Sequence, residues 1–192
     1  MARPRKDQEG PGARERIEDA FWRLMGEMPY RDITIRGLCS RADVNPNTFY
    51  SYFGCMDDLA RDAFEESLVS GFPALIMGVI SSGASEEDVE AVTADAHVAQ
   101  GLGRMLLLAR SESPYLAGLV QDTVRDAWLA SAGRTADDLT REERAGLAAV
   151  VGAQMALLSS RDPEFGLHDL AELATRPLGA AMVSTLAALR RG

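Results

Sequence analysis

The chain of 192 residues has few of the side chains that metal and thiol chemistry require. Its only cysteines are Cys39 and Cys55, its only histidines are His97 and His168, and none stands at the spacing of a metal site. The sequence also contains no nucleophile elbow and no phosphate-binding loop. These absences argue against an enzyme and predict that the protein uses no metal or other cofactor.

Long apolar runs are lacking as well. No run of about 18 uncharged apolar residues occurs, and the first ten residues, MARPRKDQEG, are polar and unlike a signal peptide. We therefore expect a cytoplasmic protein without a membrane span. With 46% hydrophobic residues, the chain can still bury roughly 70% of the surface that its unfolded form exposes.

Charge is distributed unevenly along the chain. The net charge of −9 argues against a protein that coats nucleic acid indiscriminately. Residues 1–53 carry nine basic and eight acidic side chains, a net of +1, so residues 54–192 carry −10. Three of the nine basic residues lie within residues 1–12, which we interpret as a flexible basic arm able to reach phosphates or a minor groove. A tail without function is the alternative interpretation.

Residues 33–53 have the pattern of two short helices joined by a three-residue turn. Apolar residues recur at i, i+3, i+4 and i+7 from Ile35, and Thr34 can cap the helix that they define. Asp43 tolerates the left-handed conformation that a tight turn between helices often needs. The turn is therefore predicted at residues 42–44.

The second helix of this pair has one apolar and one polar side. Asn45 is a favoured N-cap, and Pro46 suits the first helical position because its missing N–H costs nothing there. Phe49 and Phe53 share the apolar side. The opposite side carries Asn47, Thr48, Ser51 and Tyr52. These uncharged groups suit hydrogen bonds to base edges and phosphates, although an ordinary amphipathic helix pair is the alternative.

From about Ile17 to Leu59, the sequence resembles the N-terminal domain of TetR-family transcriptional regulators. The positions that carry the resemblance are Thr34, Arg36, Leu38, Ala42, Val44, Thr48, Phe49, Tyr50, Tyr52, Phe53 and Leu59. The resemblance implies an all-α fold, in which a three-helix domain with a helix-turn-helix precedes a helical domain for ligand binding and dimerisation. It also implies DNA contacts from Thr34, Arg36, Asn45, Pro46, Asn47, Thr48, Tyr50, Ser51 and Tyr52.

Two departures from the family pattern affect this interpretation. Asp43 stands where the family usually has glycine in the turn, and it still fits the geometry. Met56 stands where the family commonly has a lysine or arginine that touches a phosphate. We therefore expect the phosphate contact at Met56 to be absent.

The expected organisation is a basic arm over residues 1–12, a DNA-binding domain over 13–55 and an effector-binding and dimerisation domain over 56–192. Periodicity predicts a first helix over residues 13–28. A long apolar stripe follows from Met56 to Val79, and Pro73 is expected to kink or end its helix. Further helices are expected over residues 85–111 and 114–132, and a last pair after Thr140 and near the C-terminus.

A helix containing residues 145–158 is apolar nearly all round, so it must be covered on every side. A partner subunit covers one side most simply, through a four-helix bundle across a two-fold axis. The predicted interface residues are Leu147, Val151, Met155, Leu158, Met182 and Leu186. Such a homodimer would read a double-stranded operator with an inverted repeat. A monomer that buries this helix within itself is the alternative.

By resemblance, the second domain would bind a small-molecule effector. Small residues beside polar-tipped aromatics mark a candidate pocket formed by His97, Gly101, Tyr115 and Trp128. Each of these residues taken singly is also explained as part of a core. We predict a repressor that the effector releases from its operator. A ligand-independent dimeric DNA-binding protein and a helical interaction protein without DNA binding remain as alternatives.

Overall fold

The structure is a computed structural model. It describes residues 12–68, 71, 73, 85–160, 162, 181, 184–185 and 187–189. All regular secondary structure in these ranges is helical, which confirms the predicted all-α fold. The chain forms two compact units, Met1–Ala63 and Phe64–Gly192. The predicted basic arm, apart from its last residue, and the predicted interface residues Met182 and Leu186 lie outside the described residues.

The first unit contains three helices and the start of a fourth. These are α1 (Ala13–Glu27), α2 (Ile35–Arg41), α3 (Pro46–Tyr50) and α4 (Met56–Leu68), and a 3₁₀ turn (Tyr30–Asp32) lies between α1 and α2. The core of the unit is assembled from fully buried side chains of all four helices and of the segment after α3. The largest are Ile17, Phe21, Leu38, Phe49, Phe53 and Leu59. Since α4 begins in the first unit and ends in the second, the compact unit extends beyond the predicted boundary at residue 55.

Helix α4 ends at Leu68, well before the end of the apolar stripe that begins at Met56. Gly71 adopts the left-handed conformation with φ of +69°, and its N–H donates to the Leu68 carbonyl at 2.8 Å. Glycine reaches this conformation without a steric penalty and commonly ends helices. The chain therefore leaves the helix before Pro73, and glycine rather than proline makes the break.

The second unit is built from longer helices. They are α5 (Glu86–Thr93), α6 (Ala96–Ala109), α7 (Pro114–Ala132), a 3₁₀ turn (Ala136–Asp138) and α8 (Arg141–Leu158). Gly133 ends α7 at a left-handed φ of +67°, directly after the predicted last residue 132. A capping box begins α8 after Thr140, where a helix was expected, because Thr140 and Glu143 bond reciprocally across its first turn.

The prediction of one continuous helix over residues 85–111 is wrong. Asp95 interrupts it, and its carboxylate accepts hydrogen bonds from the backbone N–H groups of His97 at 2.9 Å and Val98 at 3.2 Å. Aspartate competes in this way for backbone donors, which disfavours it inside a helix and favours it at an N-cap. The apolar periodicity on both sides of the break concealed this second helix start.

The core of the second unit surrounds Trp128. This side chain is fully buried and packs with Leu129, Leu139, Leu147, Val150, Val151 and Leu189. Its indole Nε1 donates to Gln154 Oε1 at 2.9 Å. The buried N–H is therefore satisfied, as a tryptophan in a core requires.

Candidate DNA-binding surface

Helix α2, the first helix of the helix-turn-helix, is capped and packed as its sequence predicts. Thr34 Oγ1 accepts a hydrogen bond from Gly37 N at 3.1 Å. On the inner side, Leu38 and Cys39 are buried. Burial raises the pKa of the Cys39 thiol, which keeps this side chain neutral in the core.

The turn after α2 has the geometry of a helix C-terminal motif that usually contains glycine. Asp43 adopts φ of +52°, and the N–H of Val44 donates to the Cys39 carbonyl at 3.0 Å. This bond satisfies a carbonyl that the end of α2 leaves without a helical partner. The predicted turn at residues 42–44 is confirmed, and the chain turns directly into α3.

Helix α3, in the position of the recognition helix, has only five residues. Asn45 Oδ1 accepts from Thr48 N at 2.9 Å, and Pro46 occupies the first helical position. On the inner side, Phe49 is fully buried and its ring centroid lies 5.6 Å from that of Phe53. The two rings anchor the helix to the core, so its opposite side must face outward.

The outward side carries the predicted contact residues. Tyr50 is 57% exposed and Tyr52 is 46% exposed. Of the nine predicted residues, Thr48 is half-buried and the other eight are exposed, namely Thr34, Arg36, Asn45, Pro46, Asn47, Tyr50, Ser51 and Tyr52. Two exposed rings so close together in the chain form a larger apolar feature than a single surface side chain, which makes this side a candidate contact surface.

These side chains differ in how much hydrogen-bonding capacity remains for a ligand. The Asn45 carbonyl oxygen caps α3, and Ser51 Oγ donates to the Thr48 carbonyl at 2.6 Å. Within residues 12–68, by contrast, the Asn47 amide and the Arg36 guanidinium have no hydrogen-bonding partner. An unengaged amide can read a base edge with two bonds, so Asn47 is the strongest candidate for sequence recognition.

Several arginines of the first unit are engaged in holding the fold. Arg16 Nε donates to the Ala42 carbonyl at the end of α2, at 3.1 Å. Arg41 forms an ion pair with Glu27. Because these arginines are engaged elsewhere, the groups that the outer side of α3 offers to a ligand are mainly neutral.

The start of α4 contains two acids, and both are engaged. The Tyr30 hydroxyl donates to Asp57 Oδ1, and Asp58 Oδ1 lies 3.2 Å from Arg61 Nη2. These bonds hold the carboxylates in the first turn of α4, directly after the segment that follows the recognition helix. The sequence pattern did not indicate the bond between Tyr30 and Asp57, because the two residues are 27 positions apart.

The candidate effector residues do not form one site in this structure. His97 is exposed in the first turn of α6, and Gly101 is buried one turn later. Tyr115 is at the start of α7 and Trp128 is near its end, so about 20 Å of helix separates them. A small effector would not touch both aromatic side chains. Trp128 in particular belongs to the core, and its polar atom is already satisfied by Gln154.

The structure also separates the predicted interface residues from the exposed side of α8. Leu147, Val151 and Leu158 are 3%, 3% and 4% exposed, because they pack into the core of their own chain. Met155 is partly buried against the same core. After the charged residues of its first turn, the exposed residues of α8 are instead the small ones Ala145, Ala148, Ala149, Gly152 and Ala156. A partner subunit would meet these small residues and not the buried leucines and valine.

The fold and the exposed polar side of α3 define a helix-turn-helix DNA-binding domain. Residues 17–63 match the family model described as bacterial regulatory proteins, tetR family. The match covers about a quarter of the chain, from α1 to the first two turns of α4, and supports a DNA-binding transcriptional regulator of the TetR family. Searches with the chain found no match among curated proteins or solved structures. In the described part of the chain, every helix is too short or too polar to cross a membrane.

Proposed function

We propose that this regulator is a homodimeric repressor, acting in the bacterial cytoplasm, that a small-molecule effector releases from an operator with an inverted repeat. The observation that carries the proposal is the exposed, uncharged side of α3 over the buried rings of Phe49 and Phe53. Neutral donors and acceptors on a rigidly anchored helix suit the edges of bases in a major groove.

A homodimer is supported by the size of the recognition helix and by α8. Five residues of helix span roughly 7 Å, which reaches only a few base pairs. Two such helices held one helical turn of DNA apart read a longer, symmetric site. The exposed side of α8 offers small residues at which a second backbone can approach closely, and this argues for a partner at that surface.

Release by an effector is supported by the division of the chain into two compact units. Helix α4 begins in the unit that contains α3 and ends in the other unit. A shift of this helix caused by an effector could therefore be transmitted to α3. An effector that weakens operator binding 100-fold must prefer the released arrangement by about 2.7 kcal/mol.

Selection of bound duplexes from random DNA tests the first part of the proposal. We expect an enriched sequence with two-fold symmetry, bound by a dimer and with an affinity that falls as salt is raised. Enrichment of no duplex at low salt would contradict operator binding. Enrichment of a site without symmetry would contradict the dimer.

Fluorescence anisotropy with the selected duplex then tests the effector. We expect at least one compound in a broad panel of metabolites and drugs to lower the affinity. A ligand-independent dimeric DNA-binding protein is the second candidate, and the burial of Trp128 in the core favours it by removing one predicted pocket residue. Unchanged affinity with every compound would support this second candidate.

A further inference from the structure

One arginine near the start of α1 contacts three parts of the first unit. Arg14 Nε donates to Glu18 Oε1 at 2.8 Å, within α1. Its Nη2 atom lies 3.7 Å from Asp62 Oδ2 of α4. Its Cζ atom lies 5.4 Å from the ring centroid of Phe53, which follows the recognition helix. A single guanidinium therefore connects α1, α4 and the segment after α3.

Glu18 holds this arginine in place. Among the described residues, Glu18 is the one charged residue that is buried, with 8% of its surface exposed. A buried carboxylate is costly unless it is paired, so the bond to Arg14 is strongly favoured. The Arg14 side chain itself is 46% exposed and would otherwise sample many rotamers. Pairing with Glu18 fixes the guanidinium above Phe53.

Phe53 passes this constraint to the DNA-binding surface. Its ring centroid lies 5.6 Å from that of Phe49, the buried anchor of α3. It also lies 6.2 Å from that of Tyr52, an exposed candidate contact residue. The planar guanidinium over a ring is a favourable contact that lysine reproduces less well.

We propose that Arg14 is a positioning residue for DNA binding, held by Glu18 and acting through Phe53 on the orientation of α3 and Tyr52. The inference rests on the proposed operator binding. It goes beyond that function because Arg14 lies outside the helix-turn-helix and outside the predicted contact residues.

Neutralising two neighbouring acids of α1 tests the proposal through the sign of the effect. Glu18→Gln removes the buried negative charge that pairs with Arg14, whereas the matched control Asp19→Asn removes the charge of an exposed acid beside it. Loss of a negative charge by itself favours binding to DNA. We expect Asp19→Asn to leave operator affinity unchanged or raise it, and Glu18→Gln to weaken it about tenfold, the effect of about 1.4 kcal/mol. Equal effects of the two changes would overturn the proposal.

Two changes at the half-exposed Arg14 cover the case in which Glu18→Gln does not fold. Arg14→Lys keeps the charge but not the planar stack, and it should weaken binding less than Arg14→Met. The slope of affinity against salt should be unchanged in both. A slope reduced by about one in Arg14→Met would instead identify Arg14 as a direct phosphate contact and overturn the positioning role.

The same experiment separates this proposal from the proposed function. Failure of the unaltered protein to bind any selected duplex would contradict operator binding itself. If the unaltered protein binds the duplex and Arg14→Met binds it with the same affinity, operator binding stands and only the role of Arg14 is overturned. All measurements are made well below the unfolding temperature of each variant, as monitored by helical circular dichroism.

Discussion

Helices α3 and α8 each bury one side and expose the other, but the two exposed sides have opposite chemistry. The exposed side of α3 carries amide, hydroxyl and phenol groups, which must find hydrogen-bonding partners wherever water is removed. From Ala145 onward, the exposed side of α8 is a row of alanines with Gly152, whose side chains offer no hydrogen bonds. The first suits a polar partner with a defined pattern of donors and acceptors, such as DNA. The second suits a flat apolar surface that approaches closely, such as another copy of α8.

The inner sides explain why each exposed side is available. In α3, Phe49 fixes the rotation of the helix, so the polar residues cannot turn inward. In α8, Leu147 and Val151 pack around Trp128, which leaves the alanines outside. In both helices the large buried side chains determine how the helix is rotated about its axis. The residues left on the exposed side are then the ones available to contact a partner. The following predictions test this division, beginning with the largest expected effect.

A charge placed on the exposed side of α8 should separate the subunits of the proposed homodimer. Ala149→Arg would bury an unpaired cation in each half of the interface, and an uncompensated buried charge costs about 3–5 kcal/mol. We expect the dimer dissociation constant to rise more than 100-fold and operator affinity to fall with it. Light scattering after size-exclusion chromatography measures the change. The control is Ala94→Arg, at an exposed alanine after α5, which should remain dimeric. A dimeric Ala149→Arg protein would show that α8 is not the interface.

On the exposed side of α3, two neighbouring changes should have different consequences. Asn47→Ala removes an amide that is unengaged within residues 12–68, so it should relax sequence preference by about 1–3 kcal/mol at the base it reads. Thr48→Ala should weaken binding to all duplexes alike, as loss of a phosphate contact does. Affinities for the selected operator and for single-base variants measure both effects. Unchanged preference in Asn47→Ala would move base recognition away from this residue.

The local signals in the sequence predicted most of the helix-turn-helix. Thr34 and Asn45 cap α2 and α3 as expected, and Asp43 makes the turn. These features depend on residues five or fewer positions apart, and their geometry is the same in any fold. For this reason the DNA-binding surface could be located from the sequence with its individual residues.

The parts that the sequence did not predict depend on distant contacts. In α8, both sides read as apolar, and only packing around Trp128 decides that Leu147 turns inward. The contacts of Arg14 with Phe53 and Asp62 join residues far apart in the chain. Asp95 is different. Its role as an N-cap is a local signal, but the apolar periodicity on both sides favoured the prediction of one continuous helix. The sequence contains no local signal for which side of an all-apolar helix faces outward. The exposed residues of α8 could therefore be identified only from the structure.

The caps of α2 and α3 should respond to acid differently from three caps of the second unit. Threonine and asparagine cap α2 and α3, and neither titrates. In the second unit, bonds from Ser85 and Thr135 hold the pKa values of Asp88 and Asp138 below their usual range. The Thr140 N–H, followed by its hydroxyl, does the same for the pKa of Glu143. Stability from such lowered pKa values is fully present above the unfolded values of about 4 and is lost as pH falls through the folded values.

We therefore expect acid to destabilise the second unit through its caps. In Trp22→Phe protein, Trp128 is the remaining tryptophan and reports on the second unit, so its fluorescence follows unfolding there. Glu143→Gln should lower the unfolding temperature at pH 7, and its difference from the unaltered protein should shrink as pH falls through the lowered pKa of Glu143. A difference that does not change as the pH is lowered would show that the carboxylate charge contributes nothing to the cap.

The smallest expected effect concerns the turn between α2 and α3. Asp43 has φ of +52°, a conformation that costs an L-residue roughly 1 kcal/mol and glycine almost nothing. Asp43→Gly should therefore stabilise the first unit, although the greater freedom of glycine in the unfolded chain keeps the net gain below about 1 kcal/mol. The matched control, Asp32→Gly in the 3₁₀ turn at negative φ, has no strain to relieve and should destabilise by about 0.5–1 kcal/mol. Denaturant unfolding followed through Trp22 measures both. If both changes destabilised the unit equally, replacing Asp43 by glycine would relieve no strain. Aspartate would then adopt the left-handed conformation at residue 43 as readily as glycine does.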